Sequence, residues 1–289
     1  MDSDALQSVV NILAQSYSTG FNFEPNVLRL LSKKTGFEID ATIQAELKKI
    51  SFRRKDGVYF LIGLVVDATT RENIASYINE TLDEHNFFES GEVYNHFADK
   101  INKQCIDNVD DFEFFCKFLF AEDNYVKATK IHNIGIMCKQ MNSVKELGLA
   151  LAHKIEIATN EEHGIIDEYM ISARFPCFSM ELLSLIVKSY SENLIRTQDN
   201  RGSICYRTFE SLGLPHDFSE ILVDALSEIE EINLEPSEEV LHTVLSLKMG
   251  MNFKLEYSLS DMKTYRSLVS RYFKNSPSRE WRQRQFLEV

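Results

Sequence analysis

The stretch LLSKKTGFEIDATIQAELKKISFRRKDGVYFL, residues 30–61, decides the fold of the N-terminal part of the chain, because its hydrophobic period changes within it. Asp40 is placed to cap a helix, and Lys55-Asp56-Gly57 is a sequence typical of the turn in a β-hairpin. Apolar residues at helical spacing predict the buried stripe of that helix: Ile39, Ile43, Leu47 and Ile50. Apolar residues on either side of the turn predict the strands: Phe52, Val58, Phe60 and Ile62.

Two further helices are predicted before this stretch, one over residues 4–18 and a short one that ends at Thr35-Gly36. The order of helix, helix, turn, helix and hairpin in residues 1–65 resembles that of the winged helix-turn-helix superfamily. A weaker copy of the order lies at residues 163–208, where Ser179 precedes a helical pattern and a second hairpin pattern follows. The resemblance implies a mainly α chain with small β-hairpins, built of tandem winged-helix-like modules joined by helical packing.

The patterns divide the chain into four predicted parts. Residues 1–66 form a winged-helix-like domain, 67–160 a helical domain, 161–275 a second winged-helix-like and helical domain, and 276–289 a basic tail. In the second part, Thr69 and Glu72 form a capping-box pattern. In the third part, NFKLEY (residues 252–257) favours a strand, and residues 260–273 favour a last helix.

Charge is distributed unevenly along this acidic chain, whose net charge is −13. The net charge is +1 over residues 1–66, −7 over 67–160, −12 over 161–262 and +5 over 263–289. Binding to a nucleic-acid backbone depends on Lys and Arg that displace counterions. Any contact with nucleic acid is therefore expected to be local.

One candidate function is local binding of double-stranded DNA by the first module. Small and polar residues on the outward face of the third helix suit a major groove, and the basic hairpin suits the adjacent phosphates. The candidate DNA-binding residues are Thr42, Gln44, Lys48, Lys49, Arg53, Arg54 and Lys55. In the tail, cations flank an aromatic ring that can stack on bases, and the possible contacts are Arg279, Trp281, Arg282 and Arg284. This hypothesis describes a non-enzymatic protein associated with replication or transcription.

The alternative is a protein–protein interaction scaffold, or an accessory subunit of a larger complex, that uses the same modules to bind proteins. Glu181 and Glu192 face outward on the predicted helix before the second hairpin, and carboxylates repel phosphates. For that module, packing or dimerisation is the favoured use. A protein partner or a homo-oligomer is therefore expected.

The sequence gives little support for catalysis, cofactors or metals. The seven His residues never fall in the spacing of a zinc site, and neither common glycine-rich phosphate loop is present. We therefore expect no enzyme activity, no cofactor and no metal. Five Cys without close pairing and an acidic N-terminus predict a reduced, cytoplasmic protein. No apolar run is long enough for a membrane span.

Overall fold

The computed structural model of the 289-residue chain describes residues 3–121, 126–140, 142–191, 193–199, 201–234 and 237–259. The chain divides into two compact units, Met1–Leu147 with Cys177–Ser179, and Gly148–Pro176 with Met180–Val289. The described part is mostly helical with small antiparallel sheets, which confirms a mainly α chain with small β-hairpins. In that part, no helix is both long enough and apolar enough to cross a membrane.

The first module lies within the first unit and has the predicted order of elements. It comprises α1 (Ser3–Ser16), α2 (Pro25–Thr35), α3 (Ala41–Lys49), β1 (Ser51–Arg53), β2 (Tyr59–Leu61) and a short α4 (Ile62–Val65). Gly36 ends α2 with a left-handed φ of 76°, and the Asp40 side chain accepts from the Ile43 amide at 2.8 Å. Phe21 forms a single antiparallel bridge with Tyr59, so the chain between α1 and α2 borders the hairpin.

The core of this module lies between its three main helices and the hairpin. Of the predicted stripe on α3, Ile39, Ile43 and Leu47 are buried and Ile50 is half-buried, as expected. Gly20 has a φ of +96°, and an added Cβ would lie 2.3 Å from the Val58 side chain. The chain therefore needs glycine there to pass close to the hairpin.

The second module, also in the first unit, contains a sheet that the sequence did not predict. Its elements are α5 (Ala68–His85), β3 (Phe87–Glu89), α6 (Ser90–Phe97), α7 (Val109–Leu119), β4 (Val126–Ile131) and β5 (Ile134–Lys139). The strand order is β3-β5-β4, all antiparallel. Residues 67–160 were predicted as helical, but β5 buries Ile136, Met137 and Cys138 in succession and so lacks the alternation that marks a half-buried strand.

One other local prediction for these modules was wrong in detail. The cap of α5 is Asp67, which accepts from the Thr70 amide at 2.8 Å, and not the predicted Thr69 with Glu72. The predicted division after residue 66 falls inside the first unit, because the two modules pack on each other there: the Asn102 amide donates to the Val65 carbonyl at 2.9 Å.

The third module comprises α8 (Val144–Glu161), β6 (Ile165–Asp167), α9 (Glu168–Arg174), α10 (Met180–Tyr190), β7 (Leu194–Gln198) and β8 (Ile204–Thr208). Its strand order, β6-β8-β7, repeats the arrangement of the second module. Residues 165–167 form a strand that pairs with β8, and the next helix starts after Asp167, whose side chain caps it. The second hairpin was predicted correctly.

Three helices follow in the second unit: α11 (Phe218–Glu231), α12 (Glu238–Met249) and α13 (Phe253–Glu256). They share a core with Ile195 of β7. The strand predicted at residues 252–257 is wrong, because Asn252 caps a helical turn by accepting from the Leu255 amide at 3.1 Å. The predicted helix at 260–273 and the basic tail lie outside the described residues.

One order of elements therefore occurs three times in the described chain. Each module has a first helix, a strand, two further helices and a hairpin whose last strand pairs with the first strand. In the first module the Phe21 bridge takes the place of that first strand. The third helices of the three modules are α3, α7 and α10.

Candidate functional site

The outward face of α3 presents only some of the side chains predicted to reach DNA. Thr42 is exposed at the start of the helix. Gln44 is half-buried, and its Nε2 donates to the Ile39 carbonyl at 3.1 Å. The amide that was predicted to read a base edge thus bonds the backbone at the start of its own helix.

The two lysines at the end of α3 are both exposed but have different partners. Lys49 forms an ion pair with Glu46 at 2.8 Å. Lys48 has its Nζ 5.2 Å from the centroid of the Phe23 ring and pairs with no carboxylate among the described residues. Only Lys48 of this pair therefore presents an uncompensated charge at the surface.

Arg54, at the turn of the first hairpin, is held by carboxylate and carbonyl oxygens. It donates to Asp56 from Nη2 at 2.5 Å and from Nε at 3.1 Å, and Nη1 donates to the Gln104 carbonyl at 3.3 Å. The hydrogen bond to Asp56 raises the pKa of Arg54 and lowers the pKa of Asp56. This guanidinium is directed into the protein and not toward an outside phosphate.

Lys55, beside it, reaches across to α7 of the second module. Its Nζ lies 2.5 Å from Oδ2 of Asp110, in the first turn of that helix. The hydrogen bond lowers the pKa of Asp110 and raises the pKa of Lys55. Asp110 thus takes the place that a phosphate oxygen would have.

Apolar packing fixes the first hairpin on α7 beneath these ion pairs. Phe52 of β1 is fully buried, and its ring lies edge-to-face with Phe115 at 5.7 Å and with Phe118 at 6.4 Å. We call this combination of ring and ion-pair contacts the hairpin–α7 contact. It joins residues more than 50 positions apart in sequence, a separation that local patterns do not report. The sequence signal that could have indicated the contact is the opposite charge of residues 53–55, which are basic, and residues 107–113, which are acidic.

The start of α7 concentrates acid at the hairpin–α7 contact. Asn108 caps the helix by accepting from the Asp111 amide at 2.9 Å. Asp111 is buried, and this burial raises its pKa, while the charge of nearby Arg54 acts in the opposite direction. Acidic residues in the first turn of a helix complement the helix dipole, and at α7 the basic hairpin is a further partner for them.

Arg53 points away from the hairpin–α7 contact. Its guanidinium carbon lies 5.8 Å from the centroid of Tyr59, which is opposite it in the strand register. Tyr59 in turn lies edge-to-face with Phe23 at 4.9 Å, and Phe23 is the ring beneath Lys48. Lys48, Phe23, Tyr59 and Arg53 therefore form one continuous surface, which we call the basic–aromatic patch.

The third module offers fewer available cations at the corresponding place. Glu181 and Lys188 are exposed on α10, so the helix carries mixed charge. On the hairpin, Arg196 and Arg207 are half-buried, and the Nε atom of each is buried. Tyr206 precedes Arg207 on β8 and lies opposite Arg196 of β7 in the strand register. Its hydroxyl forms a hydrogen bond with the Ser184 hydroxyl of α10 at 2.5 Å. The predicted tail contacts, Arg279, Trp281, Arg282 and Arg284, lie outside the described residues.

Side chains that could support metal or thiol chemistry are dispersed or buried. Across the ranges that the structure describes, no three His, Cys, Asp or Glu side chains are grouped to hold a metal ion. All five Cys residues are free and buried. Comparison with known proteins finds no family model that matches the chain and no curated protein with a matching sequence.

Proposed function

We propose that this chain is a protein-interaction scaffold, or an accessory subunit of a larger complex, built of three tandem winged-helix-like modules. The threefold recurrence of helix, strand, helix, helix and hairpin supports the winged-helix assignment. The acidic charge of the second and third modules supports a protein partner over a nucleic acid, since phosphates repel carboxylates.

The hairpin–α7 contact is the observation that carries this proposal. A winged-helix module that grips DNA needs its third helix and the cations of its hairpin free to meet the duplex. Here Lys55 and Arg54 of the first module are bound to carboxylates, and Phe52 of the first module packs against α7, the third helix of the second module. These elements are used to pack one module on another, which is how a scaffold builds a rigid surface.

Duplex binding as a function of salt tests the scaffold against a DNA clamp. Each phosphate contact in B-DNA contributes about 0.9 to the slope of log affinity against log salt. We expect Arg54→Ala with Lys55→Ala to leave the slope for a fluorescein-labelled 30-base-pair duplex, measured by anisotropy, unchanged. A fall of about two units in the slope would contradict the scaffold and support a phosphate-binding hairpin.

A second measurement addresses the partner directly. Affinity purification from native lysate should recover a protein at constant stoichiometry, and nuclease treatment should not release it. Loss of all bound protein on nuclease treatment would show that nucleic acid bridges the contacts.

Local DNA binding is the second candidate, and one observation favours it. Thr42, Lys48, Lys49 and Arg53 are all exposed on the first module, the only part of the described chain whose segment is not acidic. In this proposal α3 approaches double-stranded DNA while Lys48 and Arg53 contact two phosphates. Lys48→Ala with Arg53→Ala would then reduce the salt slope by about two units, whereas the scaffold predicts no change.

A further inference from the structure

The cations at the end of α3 and on the first hairpin fall into two groups. Lys49, Arg54 and Lys55 each bind a carboxylate, at 2.8, 2.5 and 2.5 Å. Lys48 and Arg53 have no carboxylate partner in the part of the chain that the structure describes, and each lies over an aromatic ring instead. The basic–aromatic patch therefore keeps two charges that the rest of this region neutralises.

The rings of the patch are fixed in place by the sheet and the core. Tyr59 is part of β2 and is bridged to Phe21, which is buried. Phe23 lies edge-to-face with Phe21 at 5.5 Å and with Tyr59 at 4.9 Å. A cation over a ring is attracted by the negative face of the ring, so the two long side chains are biased toward one arrangement. Ordering them in advance lowers the cost of binding an anion.

We propose that the basic–aromatic patch binds a short acidic segment of a partner protein, in which carboxylates flank an apolar side chain. Lys48 and Arg53 would each bind a carboxylate, and the half-buried edges of Phe23 and Tyr59 would contact the apolar side chain between them. The inference rests on the proposed scaffold function and assigns it a binding surface.

The dimensions of the patch limit the spacing of those carboxylates. The contacts of 5.2, 4.9 and 5.8 Å that link Lys48, Phe23, Tyr59 and Arg53, placed end to end, keep the two charges within about 16 Å. An extended chain rises about 3.3 Å per residue. In an extended partner segment, the two acidic residues are therefore separated by about five positions or fewer.

A carboxylate-bearing segment fits this surface better than duplex DNA. Two cations account for about two phosphate contacts, too few for strong backbone binding, and Gln44 is turned to its own helix. The chain carries a net charge of −13, which repels a long polyanion more than a short acidic segment. The same region also binds carboxylates already, since Asp56 and Asp110 pair with the neighbouring cations.

Selection from a random dodecapeptide phage library on the immobilised full-length chain tests the proposal. The expected peptides combine Asp or Glu with an aromatic or aliphatic residue within the spacing given above. Synthetic copies should bind the wild type at least about tenfold more tightly than Lys48→Ala with Arg53→Ala, measured by anisotropy. Lys33→Ala with Lys49→Ala removes the same charge from the same module outside the patch and should keep the affinity.

Lys48→Gln with Arg53→Gln, checked by circular dichroism, provides a second variant if the alanine protein does not fold. Selected peptides without acidic residues, or peptides that bind the patch variant as well as the wild type, would overturn the assignment of the patch. The scaffold could still stand in that case through another surface. A 20-base-pair duplex that displaces the peptides, with a salt slope lost in the patch variant, would instead assign the patch to DNA and overturn the proposal.

Discussion

Asp110 and Asp111 are neighbours in the first turn of α7, yet their surroundings shift their pKa values in opposite directions. Asp110 is exposed and bonded to Lys55, which favours the carboxylate and lowers its pKa. Asp111 is buried, and the loss of hydration favours the neutral acid and raises its pKa. One carboxylate therefore stabilises the fold at neutral pH, and the other opposes it.

A pH series on Asp110→Asn tests this assignment. A carboxyl whose pKa is lowered in the folded state contributes stability above its unfolded pKa, near 4, and loses it as pH falls through the folded pKa. We expect Asp110→Asn to be less stable than wild type at pH 7 and to approach wild type at pH 3. Urea unfolding followed by circular dichroism measures the difference.

Asp111→Asn is the matched comparison at the adjacent position. A carboxyl with a raised folded pKa contributes stability at low pH and loses it as pH rises through that pKa. This variant should therefore gain stability relative to wild type between pH 3 and pH 7. The same pH trend for both variants would show that the hairpin–α7 contact does not distinguish the two carboxyls.

At the scale of elements, sequence reasoning succeeded where local chemistry is strong. Helix α3 has both a capping Asp40 and an apolar stripe, and the first hairpin has a Gly at its turn. It failed at β5, whose consecutive buried residues have no strand period, and at α13, where a single Asn252 cap decides for helix. Short elements fixed by their neighbours leave little local signal.

The candidate site shows the same limit. The helix face and the basic hairpin were identified from pattern, but the pairing of Lys55 with Asp110 depends on how two modules pack. Phe23 was missed because it lies in the loop before α2 and contacts Lys48 only in the folded chain. Local periodicity therefore predicted which residues are outward and did not predict which of them are already bound.

The hairpin–α7 contact predicts a measurable coupling between Phe52 and Phe115. Each ring is fully buried, and they meet edge-to-face at 5.7 Å. Replacing either Phe by Leu should lower the free energy of unfolding. The loss in the double variant should be smaller, by about 1 kcal/mol, than the sum of the losses in the two single variants. Urea unfolding of the four proteins gives the coupling, and an additive result would contradict direct packing between these rings.

A second prediction at the scale of elements concerns Gly148 in α8. The stability change that we expect for Gly148→Ala is opposite in sign to the change that helix propensity alone predicts. Gly to Ala inside a helix ordinarily stabilises by about 0.5–1 kcal/mol. At Gly148, an added Cβ would lie 2.5 Å from the Tyr190 ring, so the ring or the helix has to move. We expect Gly148→Ala to destabilise the protein by about 1–3 kcal/mol, measured by thermal unfolding.

Gly91 in α6 is the control for that substitution. A Cβ there would meet no atom within 4 Å, so Gly91→Ala should be neutral or stabilising. Equal effects of the two substitutions would show that the space beside Gly148 is not limiting.

At the scale of the whole molecule, the described chain contains separate apolar cores. Leu47 is fully buried in the core of the first module, and Leu245 is buried in the core formed by α11, α12 and α13. Truncation of a buried Leu to Ala costs about 2–5 kcal/mol, and the loss is felt first by the elements that share the cavity.

Amide hydrogen exchange should resolve the two cores. Leu245→Ala is expected to accelerate exchange in α11 and α12 and leave α1 and α3 near wild-type rates. Leu47→Ala should do the reverse. Acceleration throughout the chain by either variant would show that the two cores open together.

The buried cysteine thiols can report when the regions around them are transiently exposed to solvent. Four of them, Cys105, Cys116, Cys138 and Cys177, belong to the first unit, and Cys205 belongs to the second. Burial raises the pKa of Cys105 to about 11, so at pH 8 only about one in a thousand Cys105 side chains is a thiolate while the fold is closed. The alkylation rate of each cysteine, resolved by mass spectrometry, therefore reports how often the surrounding region opens to solvent. No cysteine has to be introduced for this measurement.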